Sequence, residues 1–233
     1  MNYAIVLAGG KGSRMGTEGV PKQFMSLYGK PIIIYTLENL FKIDNIDKTI
    51  VVCHNDYLTF LEDLLVEYKL KDKVDITCGG ATRLDSTLNG ILYIKETYGI
   101  NDDDIFLAHD SVRPFTSQRI IEENIKYAKI NKAATTVFDL SETIVETNDS
   151  GDIYKLYPRQ NLFTGQSPQT FNINYFLECT SKIPKETLDT FNDLSSNITF
   201  CNGVVTPVIG DRDNIKITYP IDLEIAKTFL NKQ

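Results

Sequence analysis

Short apolar segments alternate with longer amphipathic segments along most of the chain. Polar residues or glycines follow the apolar segments, which is typical of buried strands. The predicted strands are Tyr3 to Leu7, Thr49 to Cys53, Val74 to Thr77, Ile105 to Ala108, Ala134 to Leu140 and Val204 to Ile209. The predicted helices, with apolar residues at helical spacing, are Ile32 to Phe41, Tyr57 to Tyr68, Asp85 to Tyr98, Gln118 to Ile130 and Asp222 to Leu230. This alternation favours an α/β fold, with a mostly parallel sheet flanked by helices.

The segment that follows Asp139 departs from this pattern. Thr143 to Thr147 and Ile153 to Leu156 alternate apolar and polar residues, and the turn-forming Asn148 to Gly151 lies between them, which predicts a β-hairpin. A hairpin that protrudes from an α/β domain exposes apolar side chains that need a cover. We therefore expect one domain over the whole chain, with an arm at 139–165 inserted in it that forms a dimer interface.

Three glycine-rich or charged segments directly follow predicted strands, at 9–16, 79–86 and 109–114. Because ligands of parallel sheets bind beyond the carboxyl ends of the strands, we expect these segments to form one site. Glycines in the first segment let backbone N–H groups approach a phosphate, although a tight turn would need the same glycines. The second segment is also compatible with a simple helix cap. The first segment matches neither the P-loop nor the G-x-G-x-x-G pattern, which disfavours a P-loop ATPase and a nicotinamide-dependent dehydrogenase.

Single residues in and near these segments allow both a chemical and a structural interpretation. Asp110 follows a buried strand, where a carboxylate can bind Mg²⁺ together with substrate phosphates or can serve as a turn former. His109 is one of two histidines, and we favour a packing role for it. Lys216 alternates with Ile215 and Ile217, which predicts a strand whose isoleucines face the sheet. A solvated lysine would show the same pattern.

The composition is that of an ordinary folded protein, with 42% hydrophobic and 24% charged residues over 233 positions. The net charge of −7 disfavours binding to nucleic acid or to an anionic membrane surface, since both reward basic patches. No segment resembles a transmembrane helix or a signal peptide. The four cysteines are scattered without zinc spacing. We therefore expect a cytoplasmic protein with reduced thiols, no nucleic-acid partner and no membrane insertion.

Six segments, taken in order, resemble one enzyme family. They are LAGGKGSRMG, PKQF, GGATRLDS, HDSVRPF, GQSPQTF and DNIKIT, and together they extend over nearly the whole chain. The family is the cytidylyltransferases that make CDP-linked polyols, which comprises 2-C-methyl-D-erythritol 4-phosphate cytidylyltransferase and ribitol-5-phosphate cytidylyltransferase. The resemblance implies a Rossmann-like fold and a homodimer formed through the β-arm. It also implies transfer of CMP from CTP to a polyol phosphate, release of pyrophosphate, and Mg²⁺ as the cofactor.

The resemblance further implies roles for residues in the matched segments. The implied nucleotide contacts are Leu7, Ala8, Gly9, Gly10, Gly80, Ala81, Thr82, Arg83, Leu84, Asp85, Ser86 and Ser111. The implied catalytic residues are Arg14 and Lys22, which stabilise charge on the α-phosphate, and Lys216, which orients the attacking substrate. Asp110 is the implied metal ligand. Thr143 and Arg159 of the arm are the implied contacts of the polyol phosphate, with Arg159 reaching the partner subunit's site.

The arm sequence separates the branches of this family. Where the erythritol-phosphate branch has R-D-T-[IM]-K, this chain has Leu140 to Val145 and lacks the basic residue after Ile144. Tyr157 to Gln166 and Asp110 to Phe115 resemble the ribitol-phosphate branch more closely. We therefore expect D-ribitol 5-phosphate as the acceptor, with a role in cell-surface polymers such as teichoic acid or capsule. The alternatives are the erythritol-phosphate enzyme of isoprenoid synthesis, an enzyme for glycerol phosphate or another pentitol phosphate, and a non-catalytic nucleotide-binding protein.

Overall fold

The computed structural model describes residues 1–10 and 20–231 of the chain. Its strands are β1 (Asn2–Ala8), β2 (Ser26–Leu27), β3 (Lys30–Pro31), β4 (Lys48–Cys53), β5 (Val74–Cys78), β6 (Ile105–Asp110), β7 (Ala133–Asp139), β8 (Ile144–Thr147), β9 (Ile153–Tyr157), β10 (Phe163–Asn172) and β11 (Thr206–Ile209). Its α-helices are α1 (Ile32–Leu40), α2 (Leu58–Glu67), α3 (Arg83–Tyr98), α4 (Gln118–Asn131), α5 (Ile173–Ser181), α6 (Lys185–Leu188), α7 (Ser195–Phe200) and α8 (Pro220–Leu230). None of these described helices has the length and apolarity needed to cross a membrane.

Seven strands form the central sheet, in the order β11-β7-β10-β6-β1-β4-β5. The pairs β1–β4, β1–β6, β4–β5 and β7–β11 are parallel. Strand β10 is antiparallel to both of its neighbours, β6 and β7. The predicted α/β fold with a mostly parallel sheet flanked by helices is confirmed, because β10 alone reverses direction in the described sheet.

Strand β10 was not predicted from the sequence. Its first half contains Gly165 and Gln166 and its middle contains Pro168, none of which favours a strand. The register shifts between Gln166 and Gln169, so a bulge accommodates the proline. The second half of the strand is buried between β6 and β7, and tertiary pairing therefore overrides the weak local preference of this segment.

Both faces of the sheet are covered, as alternation along the strands requires. In β1, Ala4 and Val6 belong to one core cluster, which also receives side chains from α1, α2 and α4. Tyr3 and Ile5 belong to a second cluster with side chains from α3, α5 and α7. The helices therefore cover both faces, and the carboxyl ends of the strands are left for a ligand.

The predicted hairpin is present as the two-stranded sheet of β8 and β9. Its turn is closed by a hydrogen bond from Gly151 N to Asn148 O at 3.0 Å. The glycine has a φ of +85°, which other residues rarely adopt. Apolar side chains of this hairpin are exposed in the single chain, among them Ile153 and Leu156 at 58% and 64%.

The strand predicted around Lys216 is wrong, because the segment between β11 and α8 is an irregular loop. Ile217 is nevertheless fully buried in a third cluster with Leu27, Ile32 and Val112, against which Leu223 of α8 packs. Its N–H donates to Val112 O at 3.0 Å. Side-chain alternation therefore arises here from one buried isoleucine in a loop, without a strand.

Candidate active site

A cleft of about 290 Å³ lies at the carboxyl ends of β1, β5 and β6, beside the first turn of α3. The described parts of the three segments expected to form one site therefore do meet, with the first segment represented by Gly9 and Gly10. The predicted residues that line this cleft are Leu7, Gly9, Gly10, Lys22, Gly80, Ala81, Thr82, Arg83, Ser86, Asp110, Ser111 and Lys216. Arg14 lies outside the described residues.

Asp110 is the buried carboxylate of the cleft, and cations surround it. Its Oδ2 lies 2.9 Å from Lys216 Nζ and 3.4 Å from Arg113 Nε, and its Oδ1 lies 3.6 Å from Arg83 Nη2. Burial alone would raise the pKa of this carboxyl, but the charges of Arg83, Lys216 and Arg113 lower the pKa well below its usual range. Asp110 is therefore ionised throughout the neutral and mildly acidic range.

A buried polar framework beneath Asp110 fixes the loop that carries Lys216. Arg113 donates from Nη1 to the carbonyl of Asn214 at 2.5 Å. The Asn214 side chain accepts from Thr116 Oγ1 at 2.7 Å and donates to Ser167 O at 2.9 Å. Because Asn214 is fully buried, these contacts hold the loop two residues before Lys216.

His109 lies behind Asp110 and does not line the cleft. Its Nδ1 is 3.1 Å from Ser167 Oγ and its Nε2 is 3.4 Å from Thr116 Oγ1. Burial lowers the pKa of the imidazole to about 4, so the ring is neutral near pH 7. This geometry agrees with a packing role for His109.

Gln23 supports the end of β1, and sequence reasoning did not assign it a role. Its Nε2 donates to Ala8 O at 2.7 Å and to Gly10 O at 3.1 Å. The side chain is 1% exposed. Gln23 therefore ties the 3₁₀ turn that carries Lys22 to the beginning of the glycine loop. The signal for this residue was the PKQF segment, of which Gln23 is the third position.

The loop after β5 is shaped by a close approach at Gly80. A Cβ atom on Gly80 would lie 2.3 Å from the Cβ of Asp85, so only glycine fits there without movement. Thr82 and Asp85 form a reciprocal capping box at the first turn of α3. Ser86 Oγ accepts from Gly80 N at 3.1 Å. The positive end of a 16-residue helix is thereby directed at the cleft, where it favours an anion.

Three of the predicted nucleotide contacts, Ala8, Leu84 and Asp85, do not line the cleft. Ala8 is a buried core residue, Leu84 packs against the core, and the Asp85 side chain caps α3. Successive side chains of a strand or a helix point in different directions. Some residues of a contiguous motif therefore point into the protein and away from the ligand. Val112 lines the cleft although it was not predicted to do so.

The two arm residues, Thr143 and Arg159, do not line the cleft of their own chain. Arg159 is exposed, and its Nη1 donates to Ser141 O at 3.0 Å. Thr143 is an exposed residue directly before β8. Their predicted contact with the polyol phosphate therefore stays a prediction.

The donor set fits a phosphate-binding site better than a multidentate metal centre. Among the described residues, no group of three or more His, Cys, Asp or Glu side chains could hold a metal ion. The described lining of the cleft instead combines one ionised carboxylate, the cations Lys22, Arg83 and Lys216, and a helix N-terminus. Mg²⁺ commonly binds through one or two carboxylates together with substrate phosphates, and Asp110 fits that mode.

Comparison with known proteins identifies a cytidylyltransferase family along nearly the whole chain. Residues 2–232 match the family described as IspD, 2-C-methyl-D-erythritol 4-phosphate cytidylyltransferase. A ribitol-5-phosphate cytidylyltransferase of Lactiplantibacillus plantarum is 38% identical over 234 residues, which covers 100% of each chain.

Solved structures share the architecture. The 4-diphosphocytidyl-2C-methyl-D-erythritol synthase of Anaerococcus prevotii aligns with a TM-score of 0.80 and 26% identity, over 99% of this chain and 96% of that chain. The 2-C-methyl-D-erythritol 4-phosphate cytidylyltransferase of Francisella tularensis aligns with a TM-score of 0.79 and 26% identity, over 97% and 98% of the two chains. The chain is therefore a CTP:polyol-phosphate cytidylyltransferase and belongs to the family of IspD and ribitol-5-phosphate cytidylyltransferases.

Proposed function

We propose that this enzyme transfers CMP from CTP to D-ribitol 5-phosphate, forming CDP-ribitol and pyrophosphate for cell-surface polymer synthesis. The full-length similarity to a protein named ribitol-5-phosphate cytidylyltransferase carries this choice of acceptor. The arm agrees with it, because Val145 stands where the erythritol-phosphate branch has a basic residue.

The chemistry requires no general base. A phosphate monoester is largely dianionic near pH 7, since its second pKa is about 6. An oxygen of the acceptor phosphate attacks the α-phosphorus of CTP, and the bond to the β-phosphate oxygen breaks, so that pyrophosphate leaves. Lys22, together with Arg14, stabilises charge at the α-phosphate, and Lys216 orients the attacking phosphate.

Asp110 is the residue that would hold Mg²⁺ in this scheme. When bound, the ion supplies positive charge that neutralises the phosphate oxygens. Arg83 and Lys216 already lie beside the carboxylate at 3.6 and 2.9 Å. The cleft therefore brings several positive charges to the place where two anionic substrates must meet.

A substrate panel tests the proposed acceptor and donor. The enzyme is incubated with CTP, UTP or ATP and with ribitol 5-phosphate, 2-C-methyl-D-erythritol 4-phosphate, glycerol phosphate or another pentitol phosphate, and pyrophosphate release is measured. We expect the highest kcat/KM for CTP with ribitol 5-phosphate. A higher value for 2-C-methyl-D-erythritol 4-phosphate would assign the enzyme to isoprenoid synthesis. Binding of CTP without turnover of any acceptor would indicate a non-catalytic protein.

The fall of kcat/KM at low pH should reflect protonation of the acceptor phosphate and not of an enzyme group. The pKa of Asp110 lies well below its usual range, and burial lowers that of His109 to about 4. Neither group titrates near the second pKa of the acceptor phosphate, about 6. We therefore expect kcat/KM for the acceptor to fall as the pH drops through about 6. With a phosphonate analogue of higher second pKa, the fall of kcat/KM should begin at a higher pH. A fall at the same pH would mean that an enzyme group is being protonated.

The arm at 139–165 is the proposed homodimer interface. Its exposed apolar side chains have no cover in the single chain. We expect the wild-type protein to sediment as a dimer and Leu156→Glu to sediment as a monomer. Val66→Glu on α2 is a matched control, because Val66 and Leu156 are 63% and 64% exposed. A monomeric wild type, or a dimeric Leu156→Glu variant, would contradict this interface.

Arg159 is proposed to bind the acceptor in the partner subunit's site. We expect Arg159→Ala to raise KM for the polyol phosphate about tenfold, through loss of a charge-assisted hydrogen bond, with little change in KM for CTP. Mixing Arg159→Ala with inactive Lys216→Ala subunits provides a second measurement. If Arg159 acts across the dimer, one site of each mixed dimer carries neither substitution, so at low acceptor concentration the mixture should turn over faster than the sum of the two separate variants. A mixture no faster than that sum would place Arg159 at its own site.

A further inference from the structure

Two segments without a role in the proposed chemistry meet beside the cleft. Gln169 belongs to the GQSPQTF segment, and Asp193 lies in the loop before α7. Arg83 donates from Nη1 to Gln169 Oε1 at 2.8 Å. Gln169 in turn donates from Nε2 to Asp193 Oδ1 and Oδ2, at 2.8 and 2.9 Å. A continuous path of hydrogen bonds therefore runs from Asp193 to a cation of the cleft.

The surroundings of Gln169 fix the orientation of its amide group. Its Nε2 also lies 3.0 Å from Thr135 Oγ1 and 3.0 Å from Ser195 Oγ. The Asp193 carboxylate is held by the Ser195 backbone N–H, which donates to Oδ1 at 2.8 Å. Reversing the amide would place its oxygen against this carboxylate and its NH₂ against the Arg83 guanidinium. Because Gln169 is 1% exposed, water cannot compensate for such a reversal.

The other end of the same guanidinium faces the cleft. Arg83 Nη2 lies 3.6 Å from Asp110 Oδ1, while Nη1 is held by Gln169. Without Gln169, Asp110 is the hydrogen-bonding or ionic partner that remains for Arg83 among the described side chains. The guanidinium would then be free to move onto the carboxylate and away from a bound nucleotide. Arginine has many rotamers, so holding it before the ligand arrives makes binding more favourable.

We propose that Gln169 and Asp193 are positioning residues that hold the Arg83 guanidinium in its nucleotide-binding orientation. The inference rests on the proposed role of Arg83 as a contact of CTP. It assigns a function to two polar residues, the buried Gln169 and the half-buried Asp193. It also predicts that replacing either residue weakens the binding of CTP and leaves the binding of the polyol phosphate unchanged.

The test compares Gln169→Leu with wild type by calorimetric titration of CTP without acceptor and by steady-state kinetics. We expect the Kd and KM for CTP to rise about tenfold, the scale of one hydrogen bond to a charged group. The KM for the polyol phosphate should change less than about twofold, because the arm is untouched. Asp193→Asn keeps the shape of the side chain and should shift CTP binding in the same direction by a smaller factor.

A double-mutant cycle with Arg83→Met separates positioning from a general structural effect. If Gln169 acts through Arg83, the Gln169→Leu effect on the Kd for CTP disappears when Arg83 is already methionine. Thr170→Val is the matched control, because Thr170 is the next residue of β10, is fully buried, and its Oγ1 has no hydrogen-bond partner among the described residues. This control should bind CTP like wild type.

The outcomes are distinguishable from failure of the proposed function. Wild-type protein that does not bind CTP would overturn the proposed function itself. Wild-type protein that binds CTP, with Gln169→Leu binding equally well, would overturn only the positioning role. An effect of Gln169→Leu that persists in full beside Arg83→Met would also overturn that role, because it could not act through the guanidinium.

Discussion

Replacing Asp110 by asparagine is expected to lower kcat by about 10³-fold, the upper end of the loss for one preorganised electrostatic group. The substitution removes the single carboxylate proposed to hold Mg²⁺, and it removes the shared partner of Lys216 and Arg113. Arg113 is buried and would lose its counter-charge, so the free energy of unfolding should fall by about 3 kcal/mol. Pyrophosphate release and thermal unfolding measure the two effects.

Asp104→Asn is the control for loss of a buried carboxylate. Asp104 is 1% exposed and pairs with the N-terminal ammonium at the opposite edge of the sheet. This variant should lose stability but keep its kcat, so a slow Asp110→Asn enzyme cannot be attributed to stability alone. Near-wild-type turnover of Asp110→Asn would contradict the proposed metal-binding role.

The pH dependence of stability checks the charge state of Asp110. Its folded-state pKa is lower than the unfolded value of about 3.9, so the ionised carboxylate stabilises the fold fully above that value. The contribution is lost as the pH falls through the lower, folded-state pKa. The difference in stability between wild type and Asp110→Asn should therefore narrow in acid, and a constant difference would contradict the ion pairs.

Replacing Lys216 by alanine is expected to lower kcat by about 10²-fold, because one preorganised charge at the reacting phosphates is lost. Its ammonium lies 2.9 Å from Asp110, and Asn214 and Ile217 fix the loop on either side of it. The hydrogen bonds of Asn214 and Ile217 that hold that loop do not involve the Lys216 side chain, so the variant should fold. Measurement of kcat with saturating CTP and acceptor tests the expectation.

Lys227→Ala on α8 is the matched control for this variant. Both lysine side chains are 38% exposed and each pairs with a carboxylate, Lys227 with Glu224 at 2.6 Å. Since Lys227 lies outside the cleft lining, its replacement should leave kcat unchanged. If Lys216→Ala kept more than about one-tenth of wild-type turnover, the proposed role of Lys216 in orienting the phosphate would be wrong.

Local sequence predicted most of the central sheet because its parallel strands are buried on both faces and are continuously apolar. Strand β6, for example, is buried at all six positions. Strand β10 could not be found in the same way. Its glycine, proline and glutamines have no strand preference, and its hydrogen-bonding partners are distant in sequence. The loop at Lys216 was wrongly predicted as a strand, because one buried isoleucine is enough to produce an alternating pattern.

The cleft was predictable for a related reason. Residues that directly follow parallel strands lie together at the carboxyl ends of those strands. The resemblance to the family identified most of the residues at this site. The supporting residues could not be predicted individually. Gln169 approaches Arg83 only because β10 is antiparallel beside β6, and Asp193 approaches Gln169 from a loop that had no assigned structure. Such contacts are properties of the assembled fold.

Strand β10 extends from the exposed Phe163 at the base of the arm to the buried Phe171 in the core. Its bulge sets which side chains point towards Arg83, and a shift of one residue would turn Gln169 to the opposite face of the sheet. The register of this strand is therefore constrained by the contacts of Gln169, in which the hairpin between β7 and β10 takes no part. If the arm selects the acceptor, changes in the hairpin alone would suffice for evolution of an enzyme that uses another polyol phosphate. The nucleotide-binding residues would remain unchanged.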